Sequence, residues 1–386
     1  MRKIKKVSDY AVREGYVLVE LDTPIIRPTT FRQSNIYAVE VALLSRNIVF
    51  EGGPDDVENH GAHFSIRDTP KVKQTLIGVD FQNFGQQGYL GRYPIHIHMN
   101  GAMPDSIVSK NTVRQSNQRC IVVHGTNDLL VENNVAYDTK GHCFIVEDGI
   151  ETGNKFIRNL GAQTGIPKKI IPDTGTNGEE TDDRPATFWI TNPTNSWIGN
   201  VAAGSENSGF WFEPMLRGTE VDKHHDLNPK TASLIAFTDN VAHSNSGKGF
   251  QTYPTGYIPD GVQEMTGLKS YRNDGQGIFV HLSKNIKFDN VHVADNGFIG
   301  IDIDRADGIT VMNSEIIGQS RSYTDFMDTQ DAPDTCSKDR SYGIDLHSWK
   351  NFPDGERVTI EDVTFFGFNN CPKAYPFHMD DDVSFR

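Results

Sequence analysis

Three histidines and two carboxylates lie in three short, similar phrases of the sequence. His96 and His98 stand two residues apart in PIHIH, His124 ends CIVVH, and Glu147 ends CFIVE with Asp148 directly after it. Imidazole changes its charge near neutral pH, and a neighbouring carboxylate fixes its tautomer, so this set could move a proton. A Glu/Asp pair could instead hydrolyse a glycosidic bond, provided that the carboxyls lie roughly 5 to 9.5 Å apart.

The same histidines could bind a metal ion. A His-x-His pair on a strand, with a third histidine one coil away, can converge on a divalent transition metal through bonds of about 2.0–2.1 Å. The sequence leaves open whether His96, His98 and His124 bind a metal, transfer protons or form ordinary solvated surface. Calcium is the other candidate ion, on three carboxylates near the C-terminal coils: Asp302, Asp304 and Asp345.

A repeated phrase predicts the elements that must position these residues. The phrase begins with a small residue and alternates large apolar with other residues: CIVVH (Cys120–His124), CFIVE (Cys143–Glu147), TFWIT (Thr187–Thr191), GFWFE (Gly209–Glu213), GFQTY (Gly249–Tyr253), GIFVH (Gly277–His281) and GFIGI (Gly297–Ile301). An asparagine followed by Val-Ala or Thr-Val lies nine residues before four of these phrases: Asn111, Asn134, Asn200 and Asn240.

These repeats favour an all-β fold, a right-handed parallel β-helix. Large apolar residues at the second and fourth positions have the period of a strand that is buried on one face. A repeat of about 22 to 28 residues, where no insertion lengthens it, suits one coil, and coils stack about 4.8 Å apart. The asparagines would then form an inward ladder at a coil corner. A propeller blade needs a longer period, and a jelly roll gives no head-to-tail equivalent phrases.

Stacked coils would place the remaining positions of the phrase (the first, third and fifth) on the outer wall. PIHIH (Pro94–His98) adds one more coil in the same register. The third positions form the column His96, Val122, Ile145, Trp189 and Trp211. The fifth positions form the column His98, His124, Glu147, Thr191 and Glu213. The prediction is therefore a cluster of three histidines and a carboxylate on one exterior wall, beside two tryptophans.

Other residues near this cluster are candidate contacts for a sugar chain. Trp189 and Trp211 could stack on sugar rings, or they could pack beneath inserted loops. Arg92 could pair with a uronate carboxylate, or with one of the two carboxylates of the cluster. His142 lies near a strand start and is a further candidate substrate contact.

The chain organisation predicts one solenoid domain, residues 51–386, preceded by N-terminal capping strands over residues 1–50. Long insertions are expected at four places, where they would wall a groove: 160–184, 214–232, 254–266 and 318–341. Four cysteines are too few for a disulfide scaffold. Cys120 and Cys143 share a column, and we expect stacked thiols there rather than a disulfide.

Composition excludes some functions. A net charge of −14 argues against nucleic acid as a partner, although a local basic groove could still bind an anionic sugar polymer. No apolar run approaches the roughly 18 residues of a membrane span. The basic start of the sequence, MRKIKKVSDYAVREG, is not followed by the apolar stretch of an intact export signal.

Several long strings resemble one known family. They are EVALLSRNIVFEG (Glu40–Gly52), LGRYPIHIHMNG (Leu90–Gly101), CIVVHGTNDLLVEN (Cys120–Asn133), YDTKGHCFIVEDGIETGN (Tyr137–Asn154), TFWITNPTN (Thr187–Asn195) and AAGSENSGFWF (Ala202–Phe212). The family is that of the cell-migration-inducing hyaluronan-binding protein and the transmembrane cell-surface hyaluronidase. The resemblance covers about residues 38–215, and its first string looks like the end of the eight-glycine domain that precedes the β-helix there.

The resemblance implies a parallel β-helix, a secreted or cell-surface location and the depolymerisation of hyaluronan. Its motifs carry over the following residues: Arg92, His96, His98, His124, His142, Glu147 and Asp148. This sequence contains little of the eight-glycine domain and no membrane anchor, so a microbial relative that acts on an acidic glycan is expected.

The expected function is hydrolytic depolymerisation of an acidic, uronate-containing polysaccharide such as hyaluronan. The expected catalytic residues are His98, His124, Glu147 and Asp148. A lyase acting on the same polymer and a non-catalytic glycan-binding β-helix remain alternatives, whereas the concentrated cluster argues against a purely structural fibre. The sequence leaves the oligomeric state open.

Overall fold

The computed structural model describes residues 3–9, 17–23, 40–53, 59–69, 71–171, 181–217, 223–224, 226–297, 299–318, 341–347, 357–368 and 374–379. The chain divides into two compact units, Met1–Val41 and Ala42–Arg386. In the first unit, β1 (Ile4–Asp9) pairs antiparallel with β2 (Val17–Leu21). The capping role expected for residues 1–50 stays a prediction.

The second unit consists of three parallel sheets, and within each sheet the strands stack in chain order. The first sheet contains β4 (Ser65–Arg67), β7 (Ile95–Ala102), β10 (Ile121–Asn127), β13 (Phe144–Val146), β16 (Ala186–Ile190), β19 (Ser208–Phe212), β22 (Phe250–Gln251), β25 (Ile278–His281), β28 (Ile299–Asp304), β31 (Ser341–His347) and β34 (Ala374–Met379). The second contains β5 (Thr75–Ile77), β8 (Ile107–Ser109), β11 (Leu130–Glu132), β14 (Lys155–Ile157), β17 (Ser196–Ile198), β20 (Ala236–Thr238), β23 (Gln263–Thr266), β26 (Ile286–Asp289), β29 (Ile309–Met312) and β32 (Val358–Glu361). The third contains β3 (Ile48–Glu51), β6 (Val79–Gln82), β9 (Thr112–Arg114), β12 (Val135–Lys140), β15 (Leu160–Gly165), β18 (Val201–Ala203), β21 (Val241–His243), β24 (Lys269–Tyr271), β27 (His292–Ala294), β30 (Glu315–Ile317) and β33 (Thr364–Phe366).

Each coil contributes one strand to each sheet, so every strand pairs with the strand three places further along the chain. This is a right-handed parallel β-helix, and the predicted fold is confirmed. A 3-10 turn, Pro229–Thr231, lies in the connection between β19 and β20. Within the described residues, no helix is both long and apolar enough to cross a membrane.

The apolar core follows the predicted alternation. In the coils from PIHIH to GFWFE and in GIFVH, the side chains at the second and fourth positions of the phrase belong to one buried cluster. GFIGI was aligned out of register, because Ile301 and Ile303 are the residues that pair with Ile278 and Val280. Phe188 stacks between Phe144 and Phe210, with ring centroids 4.8 and 4.7 Å away. Burying each such ring contributes about 1.5–3 kcal/mol relative to leaving it in water. The nearly equal distances between these rings show that equivalent residues of successive coils stack on one another.

The predicted asparagine ladder is confirmed, and it has one more member than the sequence pattern indicated. Asn159 lies between Asn134 and Asn200, and its side-chain amide joins both at 3.0 Å. The ladder continues to Asn111 and to Asn240, with side-chain amide contacts of 3.1 Å. Each side chain also donates to a backbone carbonyl of the preceding coil and accepts from a backbone N–H, so buried corner groups are satisfied.

The expectation of free stacked thiols at Cys120 and Cys143 is wrong. The two residues form a disulfide between adjacent coils, with their Cα atoms 4.5 Å apart. This separation lies within the range that disulfides bridge, because neighbouring strands are themselves only about 4.8 Å apart. Both cysteines are buried in the core cluster, so the first position of the phrase turns inward and is not on the outer wall as expected.

Long connections follow the predicted positions in outline. They separate β15 from β16, β19 from β20, β22 from β23 and β30 from β31. The first begins later than expected, because residues 160–165 are strand β15 and pair with β12. Parts of these connections (172–180, 218–222, residue 225 and 319–340) lie outside the described residues.

Asn159→Ala should destabilise the β-helix by about 1–3 kcal/mol. The change removes the acceptor of the buried Asn134 backbone N–H and one hydrogen bond from each neighbouring ladder amide, and buried unsatisfied polar groups carry a cost of this size. Chemical denaturation followed by far-UV circular dichroism measures the change. Lys155→Ala, on the exposed face of the same coil, is the control and should stay within about 0.5 kcal/mol of the parent. Equal stability of the two variants would contradict a stabilising ladder.

Candidate functional site

The register of the first sheet brings the predicted cluster together on one outer wall. His98 of β7 pairs with His124 of β10, and Val123 pairs with Val146 of β13, which directly precedes Glu147. The column of third positions also exists, because Val122, Ile145, Trp189 and Trp211 are paired in succession. The cluster therefore forms from equivalent positions of three successive coils, as the phrase alignment predicts.

His124 lies at the centre of the cluster and contacts three of its members. Its Nε2 lies 2.8 Å from Asp148 Oδ2, and its Nδ1 lies 3.0 Å from Glu147 Oε2. The same Nδ1 lies 3.1 Å from His98 Nδ1. His96 completes the group, with Nδ1 3.2 Å from the Gly91 carbonyl and Nε2 3.8 Å from Glu147 Oε2. His124 thus has one ring nitrogen facing each carboxylate.

Glu147 is held from behind by two buried residues that sequence analysis did not single out. Arg119 contacts Glu147 Oε1, and the Tyr93 hydroxyl donates to the same oxygen at 2.6 Å. Arg119 also donates to the Tyr93 hydroxyl at 3.1 Å and lies 3.4 Å from Asp182 Oδ2. The guanidinium is fully buried, so it is a fixed positive charge between two carboxylates.

The environments of the histidines shift their pKa values in opposite directions. Burial lowers the pKa of His96 to about 4 and also lowers that of His98. Burial opposes charge on His124 too, but hydrogen bonds to Asp148 and Glu147 outweigh it and raise its pKa to about 11. Burial likewise opposes the charge of Glu147, yet His124 and Arg119 hold its pKa well below the usual range. The two carboxylates therefore favour the charged form of His124, whereas burial favours the neutral forms of His96 and His98.

A tight turn after Glu147 fixes the position of Asp148. The buried Glu151 accepts from the backbone N–H groups of Asp148 and Gly149 at 3.2 and 3.0 Å, and from Gly125 at 2.9 Å. Gly149 has φ 82°, and a Cβ there would lie 2.1 Å from the Met215 carbonyl oxygen, so the turn requires glycine. Burial and the Asp148 charge raise the pKa of Glu151 to about 7.

The structure buries both tryptophans that were candidates for sugar stacking. Trp189 and Trp211 belong to a separate apolar cluster on the outside of the first sheet, which Ile171 from the first insertion covers. Arg217, from the second insertion, lies 4.3 Å above the Trp189 ring. The alternative reading, packing beneath inserted segments, therefore holds, and neither indole offers a face to a ligand.

His142 is also buried, which corrects its expected role as a substrate contact. Its ring stacks on Trp189 at 4.3 Å. Nδ1 accepts from the Ala186 N–H at 2.9 Å, and Nε2 lies 3.1 Å from the Thr181 hydroxyl. Burial lowers its pKa to about 3. His142 is thus a neutral packing residue that joins the cluster of tryptophans to the strand.

Two exposed arginines lie near the cluster. Arg92 does not provide the ion pair to Glu147, since the buried Arg119 does, and the charge of Arg92 acts on His63. Its role towards a uronate stays a prediction. Arg67 of β4, which sequence analysis missed, pairs in register with His98 and contributes to the lowered pKa of that residue. Arg67 is exposed, and the strand register places this cationic residue directly beside His98.

The aspartates proposed for calcium lie further along the same sheet and are engaged by other side chains. His281 Nδ1 lies 2.7 Å from Asp304, and His378 Nδ1 lies 2.7 Å from Asp345. Asp302 accepts from Gln276 at 3.0 Å. In the part of the chain that the structure describes, the one group of ligands that converges as a metal site would require is His96, His98 and His124.

One outer column was missed because the strand bends at its start. Tyr93, Arg119 and His142 each come two residues before a core residue that pairs along the first sheet. These three side chains contact the outer cluster, whereas the cysteines that follow two of them turn inward. Strict alternation predicts that the side chain at the first position of the phrase points outward, and it makes no use of the residue before the phrase. Each of these three residues stands directly before its phrase, and this constant position in the sequence could have identified the column.

The fold and the site define a class: a parallel β-helix with a cluster of histidines and carboxylates on its outer wall. Residues 59–250 match the sequence model of the CEMIP β-helix family, and the chain belongs to that family. It is 30% identical over 360 residues to the human protein named cell surface hyaluronidase CEMIP2, covering 74% of this chain and 26% of that protein.

Two further relatives come from zebrafish and from a slime mould. A Danio rerio protein named cell surface hyaluronidase is 34% identical over 249 residues, which is 54% of this chain and 18% of that protein. Communication mutant protein F of Dictyostelium discoideum is 32% identical over 262 residues, which is 65% of this chain and 22% of that protein. The chain thus spans about a fifth to a quarter of the length of these relatives.

Arg119→Met should destabilise the protein by about 3–5 kcal/mol, because it leaves Glu147 and Asp182 buried without their shared positive charge. Denaturant unfolding monitored by tryptophan fluorescence measures the loss. The control is Arg158→Met, which removes an exposed ion pair with Glu132 and should cost less than about 1 kcal/mol. Similar losses in the two variants would show that Arg119 does not anchor the site.

Proposed function

We propose that this chain cleaves an acidic, uronate-containing polysaccharide such as hyaluronan by glycosidic hydrolysis. The observation that carries the proposal is the wall on which His98, His124 and Asp148 reach solvent together above a buried, charged Glu147. Two relatives in the family are named cell surface hyaluronidases, which supports the substrate class.

Asp148 and His124 form the proton-transferring pair in this proposal. They are the charged members of the cluster with the more exposed side chains, at 15% and 20%, and only 2.8 Å separates Asp148 Oδ2 from His124 Nε2. In hydrolysis the pair delivers a proton to the departing glycosidic oxygen and takes a proton from the water whose hydroxyl is added to the anomeric carbon.

Glu147 acts as a positioning residue and does not touch the substrate. Its side chain is 9% exposed, Oε1 is bound by Arg119 and Tyr93, and Oε2 faces His124. Its negative charge, fixed in a low-dielectric environment, orients the His124 ring and stabilises positive charge on it. The buried network therefore sets the protonation of the exposed pair.

A binding surface for the sugar chain lies further along the same sheet. Tyr253 is 39% exposed, and its ring stacks on the part-exposed Phe279 of β25 at 5.9 Å. The Lys248 ammonium lies 5.6 Å from the Phe279 ring and could pair with a uronate carboxylate. β25 is four strands from β13, roughly 19 Å at the usual strand spacing. A polymer lying along the sheet would reach both places.

The buried disulfide supports an extracellular or cell-surface location. Disulfides persist in oxidising compartments and are rare in the cytosol. The Cys120–Cys143 bond lies in the core directly beneath the site wall. This fits the names of the hyaluronidase relatives, and we propose that the chain works outside the cytosol.

The protein should shorten one or more polymers in a panel of hyaluronan, chondroitin and alginate, as measured by size-exclusion chromatography. Mass spectrometry of the products separates the mechanisms, because hydrolysis adds a water at each cut and elimination leaves an unsaturated uronate that absorbs in the ultraviolet. The unsaturated product would replace hydrolase with lyase. Binding without any shortening would favour a non-catalytic glycan-binding β-helix and sink the proposal.

Asp148→Asn should lower kcat on the cleaved polymer by about 10²- to 10⁴-fold with little change in KM, because the change removes a proton-transferring group and keeps its shape. Initial rates over a range of polymer concentrations give both constants. Asp105→Asn, at an exposed position elsewhere on the β-helix, is the matched control and should keep the parent rate. A fall confined to KM would assign Asp148 to binding.

Tyr253→Ala should raise KM for long chains roughly tenfold, because it removes an exposed ring that would bury apolar area against the sugar. Short oligosaccharides that occupy only the His124 region should be unaffected. Comparison of KM for polymer and for short oligosaccharides measures the difference. Tyr89→Ala, which is also exposed and lies outside the proposed surface, is the control. Equal effects on long and short substrates would remove this surface from the proposal.

A further inference from the structure

We propose that His96, His98 and His124 bind one divalent transition-metal ion, with zinc as the best match. This inference adds a cofactor to the site of the proposed function. It does not rest on catalysis, since metal binding is measured without substrate.

The three imidazoles converge as metal ligands must. One ring nitrogen from each residue lies within 4.8 Å of the others, and the Nδ1 atoms of His98 and His124 are 3.1 Å apart. Zinc–nitrogen bonds of about 2.0–2.1 Å in a tetrahedral site place neighbouring ligand atoms roughly 3.3 Å apart. The observed pair is already at that separation, so a small movement of His96 completes a three-nitrogen face.

His96 supplies the independent observation that points to a ligand. It is a buried histidine whose Nε2 makes no hydrogen bond within the described residues. Its Nδ1 meets the Gly91 carbonyl at 3.2 Å, which fixes the tautomer with the proton on Nδ1 and leaves the Nε2 lone pair facing the cluster. A buried polar atom without a partner is unfavourable. A metal ion at this position would satisfy it.

His124 has the second contact that metal-binding histidines commonly make. Its Nε2 lies 2.8 Å from Asp148, which gives the carboxylate–histidine arrangement that orients a ring and raises its basicity towards a metal on the other nitrogen. The nitrogen available to the ion is Nδ1, which lies 3.1 Å from His98 Nδ1 and 3.0 Å from Glu147 Oε2. Binding there leaves the Nε2 contact with Asp148 in place, so the ion and the proton-transferring pair use different nitrogens.

Glu147 balances the charge of the ion. Its Oε2 lies 3.0 Å from His124 Nδ1 and 3.8 Å from His96 Nε2, so an anionic oxygen borders the position between them. Metal binding would displace a proton from His124 at this position, as is usual when a ligand must be deprotonated. Three nitrogen ligands favour a transition metal over calcium, which prefers six to eight oxygens, and leave a coordination position open.

The test uses tag-free protein that has been treated with chelator and then dialysed. Zinc titration in a calorimeter should show one equivalent bound, and cobalt substitution should give the visible absorption of a low-coordinate cobalt–imidazole site. His96→Gln and, separately, the less buried His98→Gln should abolish stoichiometric uptake of both metals. His292→Gln, a histidine of the third sheet, is the matched control and should retain it. Circular dichroism establishes that each variant is folded.

The results separate this inference from the proposed function. Absence of stoichiometric uptake by the parent, or equal uptake by folded His96→Gln and His98→Gln, overturns the metal site even if the polymer is cleaved. One bound equivalent that depends on both histidines supports the site even if no polymer is shortened. Cleavage that the chelator removes and zinc restores would link the two.

Discussion

The register between successive strands of the first sheet is the constraint on which the rest of the structure depends. Hydrogen bonds between successive coils hold Ile95, Ile121 and Phe144 in line, so every side chain outside them falls into a column. A slip of one residue would turn the whole outer face into the core. The disulfide and the asparagine ladder act on the same register from inside, one beneath the site wall and the other at a corner.

This register also places a cluster of charged and polar side chains on the outer wall of a protein whose net charge is −14. The acidic surface matters less to the cluster than the buried charges directly behind it. Arg119 lies between Glu147 and Asp182, with Tyr93 as a further hydrogen-bond partner. Because these groups are removed from water, their fields are weakly screened and act on the exposed histidines. The site therefore consists of buried charged groups beneath part-exposed histidines and Asp148.

The inserted segments divide the outer wall into a covered and an open part. Ile171 and Arg217 cover the tryptophans, and this apolar cluster separates the histidine cluster from Tyr253 and Phe279. An exposed tryptophan pair would be a large apolar patch, so packing beneath insertions is the lower-energy arrangement. Because the tryptophan cluster is covered, the outer wall has two separate accessible areas, the histidine cluster and the pair Tyr253 and Phe279, instead of one continuous surface.

The sequence alone determined the repeat, and with it the class of fold, the inward residues, the asparagine ladder and the column that joins His98, His124 and Glu147. These follow from local periodicity, because each coil repeats the same pattern of buried and exposed positions. The family resemblance came from the same strings. Only the tertiary structure decided which polar residues face solvent and which are buried. The bend at each strand start turns the cysteines inward and Arg119 outward, which no strict alternation predicts. The insertions, whose paths depend on contacts distant in sequence, bury Trp189, Trp211 and His142. Periodicity reports the direction of a side chain relative to its own strand. It cannot report what another segment of the chain places over it, and that decides what a ligand can reach.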